Sequence, residues 1–176
     1  MRRRTIAGSA LLVILILLSS AVALAASRNF GTHLNGSNEV PVRLTNAQGE
    51  ARFKLAEDGQ SLHYKLNIAN IENVFMAHLH LGAAGTAGPI VVWLYPSRPP
   101  AQPLPGRTQG TLAEGDITAA DLIGPLAGQP LSALLDAIET GDVYVNVHTN
   151  DLVDPPNTGP GDFLSGEIRG QLQHDH

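Results

Sequence analysis

Three histidines carry the spacing in this sequence that chemistry can use. In Met76-Ala77-His78-Leu79-His80-Leu81-Gly82 two imidazoles stand two residues apart. An extended strand sends alternate side chains to the same face, about 7 Å apart. His78 and His80 then face one way, and Ala77, Leu79 and Leu81 the other. At that separation both imidazoles can lean onto one metal ion. A second apolar stretch, Tyr144-Val145-Asn146-Val147-His148-Thr149, can bring a third imidazole beside them. The expectation is a site of three histidines at the surface end of a sheet. The plain alternative is a set of histidines satisfied or exposed on their strands, and the third one in a second apolar strand favours metal.

The composition narrows the ligand set. The chain has no cysteine, which excludes thiolate ligands, a thiol nucleophile and disulfides. Neutral imidazole suits zinc, copper and nickel, and three nitrogens plus water favour tetragonal Cu(II), with zinc possible. His33 and His63 are the candidates for a fourth ligand. Such a site should weaken below about pH 6, because histidine must lose its proton to coordinate and its free pKa is about 6.5.

Neighbouring strand faces add further groups. Tyr144, Asn146 and His148 share a face, as do Glu167 and Arg169 near the C-terminus. If the two stretches form an irregular hairpin, Glu167 can accept a proton from a liganding imidazole and fix its tautomer. Arg169 is the candidate catalytic residue, placed to steer a small anion such as superoxide. A structural salt bridge is the other reading of that pair. Glu39, just before Pro41, reads as a turn or backbone cap, and the Asp-rich stretch 150–164 lacks the spacing of an EF-hand. No nucleophile elbow, phosphate loop or nucleotide fingerprint occurs.

The elements that must position these residues are mostly strands. Polar and apolar residues alternate over 49–55 and 61–68 around the turn Glu57-Asp58-Gly59-Gln60, which predicts an antiparallel hairpin. Phe30-Gly31-Thr32-His33-Leu34 predicts a first strand closed by Asn35-Gly36, and residues 38–42 a second. Residues 90–95 are apolar on both faces, predicting a central strand. Five prolines between 96 and 110 predict a loop. A helical turn is expected at Thr118, and one helix over 130–140, with Leu131, Leu134, Leu135 and Ile138 on one face and Gly141 beyond its end. That helix should cover an open end of a sandwich.

The start of the chain reads as an export signal. Arg2, Arg3 and Arg4 precede an apolar run from Ile6 to Leu18, and Ala23-Leu24-Ala25 offers a cleavage site. Residues 1–25 are the expected signal peptide and 26–176 a single domain, secreted or periplasmic, with no integral membrane segment after cleavage. Cleavage removes three of the 11 basic and none of the 16 acidic residues, taking the formal charge from −5 to −8. Such an acidic chain is a poor partner for nucleic acid.

Several of these stretches together resemble a known module. They are Leu34-Asn35-Gly36-Ser37-Asn38-Glu39-Val40-Pro41 after Phe30, the His78-Leu79-His80 run through Gly88-Pro89-Ile90-Val91-Val92, and the Gly141-Asp142-Val143-Tyr144 run through His148-Thr149. With Gly166-Glu167-Ile168-Arg169-Gly170-Gln171-Leu172 they resemble the CHRD domain, named after chordin, over about 30–172. The resemblance implies an all-β, immunoglobulin-like or superoxide-dismutase-like antiparallel sandwich with one short covering helix. It does not vouch for His33 or His63 as ligands. His78-Leu79-His80 and the Gly-rich loop to Pro89 are also similar to the copper-binding strand of copper/zinc superoxide dismutases, whose zinc loop and cysteines this chain lacks. Two functions follow: a mononuclear copper protein, carrying metal or acting as a dismutase-like redox enzyme, or a non-catalytic extracellular module that binds other proteins.

Overall fold

The chain forms an antiparallel sheet of eight strands that closes on itself through one long strand. A computed structural model describes residues 28–175; the expected signal peptide and its cleavage site lie outside the described residues. The strands are β1 (Asn29–Asn35), β2 (Gln48–Leu55), β3 (Leu62–Leu81), β4 (Ile90–Tyr95), β5 (Leu104–Ile117), β6 (Val143–Thr149), β7 (Ile168–Gln171) and β8 (Gln173–His174). One α-helix, α1 (Leu131–Glu139), precedes β6.

The closure comes from β3. Its first half pairs with β2 on one side and β5 on the other, from Leu62↔Leu55 to Ala69↔Gln48 along β2. Its second half pairs with β6 and β4. The order β2-β1-β7-β6-β3 joins the two halves, giving a sandwich with barrel-like closure. Asn70 and Asn73 adopt φ values of 55° and 52° where the pairing with β5 shifts register. Asparagine tolerates this left-handed backbone better than a β-branched residue, and such irregularities bend a strand. The two stretches expected at 61–68 and around His78 are therefore one bent strand.

Alternation fills the core as the sequence expects. Ala77 and Leu79 of β3, Val143, Val145 and Val147 of β6, and Ile168 of β7 point inward and are fully buried. Helix α1 adds Leu131, Leu134, Leu135 and Ile138, the four residues of its apolar stripe, to the same core. Gly141, at φ 76°, stops it as the sequence expects. Thr118 caps a short 3-10 turn, Ala119–Asp121, with both its backbone N–H and its hydroxyl donating to Asp121.

Three expectations fail for physical reasons. Residues 39–47 form no strand; the chain leaves the 3-10 turn Gly36–Asn38 and runs across the sheet without a ladder. Strand β5 begins at Leu104, inside the proline-rich stretch, because it is an edge strand paired only with β3 and Pro105 needs no ladder hydrogen bond there. Strand β4 is likewise an edge and not central. Its outer side is shielded by the following segment, where the Ile123 N–H donates to the Val91 carbonyl at 2.9 Å.

Candidate metal centre

The site is built on the outer face of the sheet formed by β4, β3, β6 and β7. Opposed positions set its layout: His78 lies between Trp93 and Asn146, Asn146 beside Arg169, His80 opposite Tyr144, and Met76 opposite His148. Because side chains alternate, all these residues stand on the face away from Ala77, Leu79, Val145 and Val147.

His78, His80 and His148 come together as expected. One ring nitrogen from each lies within 4.8 Å of those of the other two, and these three form such a group among the described residues. Their ring centroids are 5.1–5.7 Å apart. The site is not at the surface, however. His78 is 0%, His80 7% and His148 5% exposed. Two loops cover it. Residues 82–89 contribute the Gly88 carbonyl, and the long connection between β6 and β7 contributes the Leu164 carbonyl. A strand pattern carries no information about what a loop will lay over its outer face.

Those carbonyls fix the imidazoles. His80 Nδ1 donates to Gly88 O at 2.9 Å, and His148 Nδ1 donates to Leu164 O at 3.0 Å. A carbonyl only accepts, so the proton sits on Nδ1 in both rings and each Nε2 presents a lone pair. His148 Nε2 lies 3.3 Å from His78 Nδ1. The Nε2 atoms of His78 and His80 are buried without a hydrogen-bond partner. Metal–nitrogen bonds of about 2.0–2.1 Å place neighbouring ligand atoms about 3 Å apart and opposite ones about 4 Å apart. The His78 Nδ1–His148 Nε2 pair is at the spacing of neighbouring ligand atoms and equally at hydrogen-bonding distance, and one nitrogen of His80 lies within 4.8 Å of a nitrogen of each.

Burial dominates the electrostatics. It pushes the His78 imidazole down to about 2, helped by His148 and His80. It lowers His148 to about 4, with His80 adding and the bond to Leu164 opposing. His80 is lowered as well, by burial first, against the bond to Gly88 and with the help of Arg169. Three imidazoles neutral at pH 7 can take a cation without first losing protons. The pH 6 limit expected for free histidine therefore moves downward.

The remaining candidates take other places. Arg169 is 2% exposed, and its guanidinium carbon lies 3.3 Å from the centroid of the Tyr144 ring. Tyr144 also stacks on His80, at 4.9 Å and 9°. Arg169 Nη1 donates to Thr86 O at 2.7 Å and Nη2 to Ala83 O at 3.1 Å. It thus fastens the 82–89 loop that orients His80. Gly88 passes so close to the Leu81 carbonyl that a Cβ would lie 1.8 Å from that oxygen, so only glycine fits. Glu167 is buried but accepts from Thr45 and Thr149 hydroxyls, both at 2.6 Å, and from Gly161 N–H at 2.9 Å. It fastens the 150–164 connection, while main-chain carbonyls take the tautomer-fixing role expected of it. His33 is exposed on β1 opposite Glu50. His63 is exposed on β3, with its two nitrogens 3.1 Å from Asp116 and 3.4 Å from Glu114. Neither joins the group of three.

Sequence reasoning missed Trp93, and it read Glu39 only as a turn or backbone cap. Trp93 places its ring edge-on to His78, at 4.3 Å and 88°. Glu39 is buried and reaches Asn146 from a segment without regular structure, so no periodicity could have announced it.

The family model for the CHRD domain matches residues 30–156, a span that holds all three histidines and stops before Glu167 and Arg169. No curated protein and no solved structure matches the chain. The likeness to copper/zinc superoxide dismutases thus rests on the stretch from His78 to Pro89 alone.

Proposed function

This chain belongs to the CHRD domain family, and on that premise we propose that it is an exported protein holding one copper ion through His78, His80 and His148. One observation carries the reading: the Nε2 atoms of His78 and His80 are buried without a partner, in a cluster whose third imidazole, His148, sets its Nε2 3.3 Å from His78 Nδ1. Buried polar atoms are nearly always satisfied, and the Nε2 lone pairs of His78 and His80 lack the partner that a bound cation would supply. The depressed basicity of His78 and His148 argues against an additional proton as that partner.

Copper is favoured by the donor set. Three neutral nitrogens without thiolate or carboxylate suit copper and zinc, and copper stands highest in the divalent affinity order. Bound there, copper would supply one-electron chemistry or simply be retained. The protein's own residues support retention. Both covering loops are pinned, one by Arg169 and one by Glu167, and Arg169 spends its donors on loop carbonyls and not on an anion path. We therefore read the centre as a carrier or storage site ahead of a dismutase-like one. Export is supported by the Arg-rich apolar start, and no helix among the described residues is long and apolar enough to cross a membrane.

The test is reconstitution with Cu(II) or Zn(II), removal of excess metal and analysis of what stays bound. One tightly held equivalent of copper, displacing zinc, supports the proposal; neither metal retained at micromolar protein refutes it. A superoxide assay on the loaded protein separates carriage from turnover.

A second reading has an observation of its own. Val42 and Leu44 are 61% and 87% exposed before β2, and Leu152 and Val153 are 65% and 64% exposed in the 150–164 connection. These exposed apolar side chains, on two separate segments, offer contact area to a protein partner. Substituting them with serine would weaken partner binding and leave metal content unchanged.

A further inference from the structure

A buried carboxyl stands one residue away from the imidazole cluster, linked to it through Asn146. Asn146 is the direct strand partner of His78 on β6 and of Arg169 on β7. Glu39 (4% exposed) reaches it from the segment after the 3-10 turn Gly36–Asn38. Glu39 Oε2 accepts from Asn146 Nδ2 at 3.5 Å and from its neighbour's Val40 N–H at 3.4 Å. The other two atoms of this contact, Glu39 Oε1 and Asn146 Oδ1, are both buried and both lack a partner.

Those two orphan atoms both border Gly166. Gly166 packs against them so closely that a Cβ would lie 2.7 Å from Glu39 Oε1 and 2.6 Å from Asn146 Oδ1. Two acceptors buried around one glycine without a donor are costly, and a carboxyl proton shared between them would satisfy both. A carboxylic acid and a primary amide pair in a ring: the amide N–H donates to one carboxyl oxygen while the acid O–H donates to the amide oxygen. The Nδ2–Oε2 contact is the first half of that ring, and the orphan atoms are the second.

We propose that Glu39 and Asn146 form a cyclic acid–amide pair, and that its carboxyl proton is released to solvent when a cation enters the His78, His80 and His148 cluster. The inference rests on the metal reading above for its second half only. The charged groups facing Glu39 are Arg169 on β7 and Arg43 on its own segment, and neither makes an ion pair with it among the described residues. Burial pushes the Glu39 carboxyl up to about 7, against the pull of the Val40 N–H, the two arginines and Asn146. A divalent cation added to a layer that already buries the Arg169 cation raises the local positive charge, and ionising Glu39 offsets part of it. The step is a single proton transfer. The Glu39 O–H bond breaks, the proton goes to bulk water, the electron pair stays on the carboxylate, and nothing is oxidised or reduced. The imidazoles, already neutral, release nothing. Glu39 is thus a positioning and charge-balancing residue, not a ligand.

The experiment uses the purified protein and its Glu39→Gln variant, whose amide supplies the same donor to Asn146. Infrared spectra of the metal-free protein at pH 6 should show the carbonyl stretch of a protonated carboxyl that Glu39→Gln lacks. Its absence from wild type overturns the pair whatever the metal result. Cu(II) is then titrated by calorimetry in two buffers of different ionisation enthalpy. Wild type should release one proton per copper near pH 6, with affinity rising about tenfold per pH unit, while Glu39→Gln should release none and show a flat profile. A stretch that survives copper loading, or a proton still released by Glu39→Gln, overturns the coupling and assigns the proton to metal-bound water. If the stretch is present and no copper binds, the pair stands, and the metal reading falls together with the coupling.

Discussion

Acid is the sharpest probe of this centre, because its groups titrate in opposite directions on folding. His78 and His148 are held at about 2 and about 4 in the folded chain, below the ordinary value of 6.5. The unfolded chain therefore binds more protons below pH 6.5, and stability contributed by these residues is lost as pH falls. Between pH 7 and pH 4, at about 1.4 kcal/mol per unit, each loses on the order of 3 kcal/mol, about 6 kcal/mol together. His80 acts in the same direction. Glu39 opposes them. Its folded value is about 7 against an ordinary 4.5, so the folded state binds the extra proton and its contribution grows as pH falls from 7 toward 4.5. That returns about 3 kcal/mol by pH 4. The metal-free protein should thus lose a net of about 3 kcal/mol, a large share of the roughly 5–15 kcal/mol of a typical domain. Urea unfolding of metal-free protein at pH 7, 6, 5 and 4 measures this directly. Glu39→Gln removes the opposing contribution and should double the fall to about 6 kcal/mol. Stability that is flat or rising from pH 7 to pH 4, or the same slope in both proteins, would refute the assignment of neutral imidazoles and a neutral Glu39.

Other substitutions separate the roles of the surrounding residues. Arg169→Met keeps a chain over Tyr144 but loses the bonds to Thr86 and Ala83; it should cost about 2–4 kcal/mol and speed copper loss to a chelator, and unchanged release would contradict the loop-fastening role. Glu167→Gln weakens the bonds to Thr45, Thr149 and Gly161. It should destabilise by about 1–3 kcal/mol and raise hydrogen exchange in 150–164 without changing the copper equivalent. His33→Ala and His63→Ala should leave copper stoichiometry and the electron paramagnetic resonance spectrum as in wild type; a changed nitrogen pattern in either would make it a fourth ligand after all.

The three histidines were legible because strand alternation is a strict rule and both of their strands obey it. The helix was legible because Leu131, Leu134, Leu135 and Ile138 repeat at helical spacing between a proline and a glycine. Strand β5 was hidden because prolines mark a stretch as irregular, although an edge strand has one free side on which Pro105 does no harm. The continuity of β3 was hidden because the alternation expected over 61–68 does not run on to His78; Asn70 and Asn73 bend the strand there, which closes the sheet. The burial of the centre and its link to Glu39 depend on segments 39–47, 82–89 and 150–167. Those are held by hydrogen bonds over long sequence separations, such as Thr45 to Glu167 and Arg169 to Thr86. Such contacts leave no periodic trace.

The central claim is that three imidazoles share one metal ion, and copper binding read by electron paramagnetic resonance tests it most directly. Purified protein loaded with Cu(II) and stripped of excess should keep one equivalent, with hyperfine splitting from several equatorial nitrogens. The His78→Ala, His80→Ala, His148→Ala triple variant, shown to be folded by circular dichroism, should keep none. A folded triple variant that retains its equivalent of copper, or a wild-type spectrum without nitrogen splitting, contradicts the claim.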